Sequence, residues 1–144
     1  MIKDYLIIGI GVVGSFIVNA FGGWDESMTT LILFMSIDYI TGMMVAGVFH
    51  ASPKTTDGGI ESKAGWQGLC RKCVTLLFVI IGHYLDVMLN VDYVRNAVII
   101  GFITNELISI TENAGLMGIP LPAQITKALE VLKNERGEKE DGKN

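Results

Sequence analysis

Charge is nearly absent from the first third of the chain. No charged side chain occurs from Tyr5 to Trp24, and between Asp4 and Lys54 the only charges are Asp25, Glu26 and Asp38. Such a stretch excludes an ordinary water-facing surface. Wound as a helix, twenty uncharged residues rise about 30 Å, the hydrocarbon thickness of a bilayer. Basic charge is also scarce: 11 Lys and Arg against 15 Asp and Glu give a net charge of −4. With no clustered basic surface, the chain does not read as a nucleic-acid binder. The 2 cysteines form Cys70-Arg-Lys-Cys73. That spacing suits a redox pair or half a metal site, but no second ligand pair accompanies it, so two reduced thiols at a helix start are the expectation. Nowhere do a nucleophile, a base and an orienting group fall together. No catalytic, cofactor-binding or metal-binding residue is therefore assigned, and no enzymatic activity is expected.

The apolar run at the amino end contains Gly9, Gly11 and Gly14 in a G-x-G-x-x-G pattern. A dinucleotide site needs that pattern inside a strand-turn-helix unit with an acidic residue about 20 positions on. Here the apolar run passes straight through the glycines. The membrane reading instead makes Gly11 and Ser15, four apart, a small-residue face for helix packing. Lys3 followed by this run and Val18-Asn-Ala20 also has the outline of a secretory signal, but the run is long for a signal core and further membrane-length segments follow.

Four apolar segments appear, at about 5–23, 28–49, 73–91 and 94–112. The expected fold is all-α: an integral membrane protein with four transmembrane helices (three possible) and a C-terminal amphipathic cytosolic helix. The distribution of basic residues tests the count. With the amino terminus inside, Lys3, the 50–72 connection and the carboxyl-terminal region all lie inside, and Arg95 alone of the 11 basic residues falls outside. Tyr5, Trp24 and Tyr93 stand at span ends, as interfacial aromatics do. The 50–72 connection reads as a loop holding a short surface helix around Ser62–Arg71. After Gly118, Pro120 and Pro122 stop the fourth helix. Leu121, Ile125, Ala128, Leu129 and Leu132 then recur at helical spacing. The division expected is a transmembrane domain at 1–118, an amphipathic cytosolic helix at 119–133 and a charged disordered tail at 134–144, where 8 charges crowd the last twelve residues.

Ionisable groups at bilayer depth cost about 2.5–3.5 kcal/mol each on insertion scales, so they face other helices or water. Asp38 and Thr41 share a face of the second span. Gly82, Asp86 and Asn90 step along the third, with His83 beside them. Asn105, Ser109 and Asn113 step by four along the fourth, and Glu106, Ser109 and Glu112 by three. Each polar stripe is a candidate for interhelical packing or for lining a pore. His83 reads as an interhelical hydrogen-bond partner, and Glu112 as an ion-pair partner of Arg71 or Lys72 at the inner surface.

Several motifs carry a family resemblance: Asp38-Tyr-Ile-Thr-Gly42, Glu61-Ser-Lys-Ala-Gly65 with Gly68-Leu-Cys-Arg-Lys72, Asn105-Glu-Leu-Ile-Ser109 with Thr111-Glu-Asn113, and Gly118-Ile-Pro-Leu-Pro122. Over residues 30–132 the chain resembles the phage-lysis and toxin-secretion holins of Gram-positive hosts. The resemblance implies a small multi-pass protein of the host bacterial cytoplasmic membrane, both termini cytoplasmic. It implies a homo-oligomer that permeabilises the bilayer at a set time, releasing an endolysin or a toxin. By motif it points to Asp38, Gly42, Ser62, Gly68, Lys72, Asp86, Asn105, Glu106, Ser109, Glu112 and Asn113, with Lys63 and Arg71 in the same cytosolic loop. The rival reading is a small ion or proton channel in which Asp38, His83 and Glu106 relay protons.

Overall fold

A computed structural model describes residues 1–135. Within them the chain forms five helices and no strand: α1 (Ile2–Ala20), α2 (Glu26–Gly47), α3 (Ser62–Leu89), α4 (Val94–Leu116) and α5 (Ala123–Glu135). The first four are long and apolar enough to cross a membrane. The expectation for 134–144 falls almost wholly on residues outside those described.

Local chemistry sets the ends. Asp25 caps α2, its carboxylate accepting from the Met28 N–H at 2.9 Å. Asn90 ends α3 in the left-handed conformation, with φ 53°. Hydroxyls inside the spans are hidden in their own helices: Thr30, Ser36 and Thr104 each donate to the carbonyl four residues back, at 2.8 Å. The 48–61 loop is ordered by its own bonds, the Thr56 N–H and Oγ1 both donating to Glu61 Oε1.

One boundary expectation fails. The short surface helix and the third span are a single 28-residue helix starting at Ser62. No proline interrupts it, and its two early glycines lie against Tyr39: a Cβ on Gly65 would lie 3.5 Å from Tyr39 Oη, and one on Gly68 would lie 3.9 Å from Tyr39 Cε2. At 1.5 Å per residue α3 is about 42 Å long, so its first turns extend beyond a 30 Å hydrocarbon layer.

The core belongs to α2, α3 and α4. Met28, Leu31, Met35, Val79, Ile99 and Ile103 interlock there, closed at one end by Phe21. α1 contributes no buried residue, and nothing lies within 4 Å of a Cβ placed on Gly11. The Gly11 and Ser15 face is thus unpartnered in the monomer. α5 folds back on α4 so that Leu132 packs against the core, while Leu121 and Ile125 stay exposed.

Candidate functional site

Three helices bring four polar side chains together in the bundle. Asp38 lies twelve residues into α2 and Glu106 twelve residues into α4, each about 18 Å from the start of its helix. Lys72 of α3 reaches between them, its Nζ 2.8 Å from Asp38 Oδ2 and 2.6 Å from Glu106 Oε2. All three side chains are largely enclosed, at 14% exposure for Lys72 and 11% for each carboxylate. Asn113 of α4 completes the group. Its Nδ2 donates to Asp38 Oδ1 at 3.2 Å and to Thr41 Oγ1 at 2.9 Å, and the Thr41 hydroxyl donates in turn to the Asp38 carbonyl.

One ammonium offsets only one of two carboxylates, so the cluster either carries a negative charge or holds a proton. Breaking such a buried arrangement costs more than forming it gains, because the surviving charge is left without water or partner. The cluster therefore pins α2, α3 and α4 in one relative register. Beside it lies a partly open cavity of about 280 Å³, walled by the three helices and by loop residues 52–55. Asn105 and Ser109 line this cavity. A Cβ on Gly42 would meet Asn113 Nδ2 at an ordinary 3.8 Å, so steric need does not explain that glycine.

A second polar group forms at the opposite end. Arg95 is 6% exposed and donates to the Phe21 and Gly23 carbonyls and to Asp25 Oδ2, the last at 2.8 Å. Asp86 caps α4 from the neighbouring helix, accepting from the Val94 and Arg95 N–H groups at 2.8 and 2.9 Å. The hydrogen bond from Arg95 holds the Asp25 carboxyl below its ordinary value. Gly22 adopts φ +76°, and a Cβ there would lie 2.5 Å from His83 Nδ1. Together these contacts tie the 21–25 turn to the 90–93 turn.

The structure thus divides the candidates. Asp38, Thr41, Glu106 and Asn113 converge, joined by Lys72. Asp86 and Asn90 shape a turn, and Gly82 permits close approach to Arg95, whose Cα a Cβ would meet at 3.0 Å. His83 makes no hydrogen bond among the described residues; it packs over Gly22 and edge-on to Tyr84. Glu112 is exposed and forms no ion pair among the described residues: of its two expected partners, Lys72 is drawn inward to Asp38 and Glu106, and the exposed Arg71 pairs with no acid. Ser62, Lys63 and Arg71 lie exposed on α3. Cys70 and Cys73 are free thiols, both exposed, and no group of three metal-ligating side chains occurs among the described residues. Sequence reasoning named Lys72 but assigned it to the connection rather than the span, and it missed Arg95 as a site residue. Arg95 was the one basic residue the charge rule could not place, and that exception was the available signal.

The model of the bacteriophage holin family matches residues 15–134, which take in α2, α3 and α4 entire. An uncharacterised protein of Halalkalibacterium halodurans is 38% identical over 80% of this chain and 84% of its own. An uncharacterised 14.9 kDa protein from the nagH 3′ region of Clostridium perfringens is 30% identical over 94% of this chain and 98% of its own. A probable holin of Bacillus phage phi105 is 30% identical over 81% of this chain and 82% of its own. No solved structure matches the chain. With four membrane-length helices and a family match over most of its length, this membrane protein belongs to the bacteriophage holin family.

Proposed function

We propose that the chain is a lytic holin of the bacterial cytoplasmic membrane. It accumulates there, associates with copies of itself, and opens lesions that let an endolysin reach the cell wall; export of a toxin is the same act with different cargo. Residues 1–118 form the membrane-embedded unit. Both termini face the cytoplasm, a reading supported by the 10 of 11 basic residues that then lie inside. The 119–133 helix sits at that inner surface. Family membership points to a non-enzymatic membrane protein.

The observation that carries this reading is the Lys72, Asp38 and Glu106 cluster, buried among three helices beside a cavity. In a single protomer the Lys72 ammonium is shared between the two carboxylates inside the bundle, and the protein rests in lipid without leaking. When protomers gather, the helices can exchange internal partners for neighbours and turn the Asp38, Glu106 and Asn113 faces toward water. Symmetric association makes a closed ring the natural product. Gly11 and Ser15 of α1, bare in the monomer, offer a face for that association.

The proton-relay alternative draws less support. His83 is eleven residues along α3 from Lys72, about 16 Å, with the fully buried Val79 between them. Induced expression in a bacterial host, with and without a wall hydrolase, tests the proposal. Membrane potential should collapse in both cultures at a set time, and turbidity should fall only where the hydrolase is present. A culture that keeps its potential at high expression contradicts it.

A further inference from the structure

The cavity beside the ion cluster is also lined by donors that lack acceptors. Lys54 and Arg71 line it, and among the described residues neither side chain has an acidic partner. Thr55 Oγ1, on the same wall, is sealed from solvent and has no hydrogen-bond partner. The acids nearby are already engaged: Glu61 by Thr56, and Asp38 and Glu106 by Lys72. A sealed hydroxyl without a partner is rare and marks a missing acceptor. At about 280 Å³ the cavity approaches the usual range for small-ligand sites.

Depth identifies the kind of acceptor. With Leu89 at one hydrocarbon boundary, 30 Å along α3 places the other near residue 70. Arg71 then sits at headgroup level. Leu69 and Trp66, exposed on the same helix, lie within about two turns farther out, in the interfacial layer that tryptophan favours.

We propose that this mouth binds the phosphate of an anionic phospholipid headgroup from the surrounding bilayer. The phosphate oxygens accept from the Arg71 guanidinium and the Lys54 ammonium and, once the 52–55 loop shifts to uncover it, from the Thr55 hydroxyl, and the headgroup fills the cavity beside the ion cluster. A bound lipid holds the 48–61 loop against α3 and α4.

The test uses the full chain in detergent, offered equimolar phosphatidylglycerol and phosphatidylcholine and read by native mass spectrometry. Each basic group near such a surface contributes about a factor of five, so the pair gives phosphatidylglycerol a preference of about 25-fold. The Lys54→Gln, Arg71→Gln double variant should bring the two lipids near parity. Removing equal charge elsewhere, with Lys63→Gln and Lys127→Gln, should leave the preference intact. Thr55→Val, which keeps both charges and the shape of the side chain, should lower retention several-fold. The proposal is overturned if the double variant keeps the preference, if the Lys63 and Lys127 pair loses it, or if Thr55→Val binds as the wild type does. It is also overturned if millimolar inorganic phosphate strips the lipid, since the site then takes free phosphate. No lysis is involved, so this result and the holin reading stand or fall separately.

Discussion

Replacing Lys72 with methionine keeps most of the apolar stem of the side chain and removes the ammonium, its charge and its two hydrogen bonds. In the native protein the ammonium lies 2.8 and 2.6 Å from two carboxylates that are each 11% exposed. At an effective dielectric of about 20, each contact has a gross Coulomb energy of about 6 kcal/mol. Desolvation of all three groups consumes much of that, and loss of one partner from a buried pair typically costs about 3–5 kcal/mol. Lys72→Met should therefore lose about that much in unfolding by sodium dodecyl sulfate, followed by circular dichroism in mixed micelles. The triple variant Lys72→Met, Asp38→Asn, Glu106→Gln removes the orphaned charges along with their counter-ion, and most of the loss should return. A Lys72→Met protein within 0.5 kcal/mol of wild type, or a triple variant as unstable as the single, would refute the view that these charges hold the helices in register.

Other consequences reach both ends of the bundle. Asp38→Asn weakens the same contacts by a smaller step and should shift the onset of lysis in an inducible strain; identical onset and identical permeability remove Asp38 from the mechanism. Because the bond from Arg95 lowers the Asp25 carboxyl, its contribution to stability is complete above the ordinary value of 3.8 and is lost as pH falls through the lowered one. The melting difference between wild type and Asp25→Asn should thus shrink below about pH 4, and it should be small throughout because Asp25 is 49% exposed. Gly22→Ala must place a side chain at φ +76° against the His83 ring, at a cost of about 1–3 kcal/mol. His83→Ala should restore only the steric part of that loss, as measured by the same detergent titration. Asp86→Ala leaves two N–H groups of α4 without their acceptor and should cost about 1–2 kcal/mol.

Much of the architecture was legible because a bilayer constrains a chain so tightly. Apolar runs of membrane length with few charges mark the spans, and the basic residues between them suggest an orientation. Within the site, the convergence of Asp38, Thr41, Glu106 and Asn113 follows from polar spacing on helices that must hide polar groups from lipid. Lys72 was harder to assign because α3 begins eleven residues before its apolar run does. Hydropathy registers the loss of charge along a helix, while the helix itself starts wherever backbone bonding can begin. Glu112 shows the converse error: proximity in depth suggested a partner, but an ammonium is drawn to the site where two carboxylates are already shielded from water. Arg95 defied the charge rule because it serves packing, donating to carbonyls that the 21–25 turn leaves open. His83 illustrates a limit of residue-type reasoning. Its ring is used as a surface over Gly22, and nothing in its sequence neighbourhood distinguishes that use from hydrogen bonding.

The most direct test of the central claim is release from proteoliposomes loaded with both a small dye and a folded protein of enzyme size. Above a threshold density of protein in the membrane, both cargoes should escape together, and below it neither should. An ion-selective current at every density, with the folded protein retained throughout, would contradict the account.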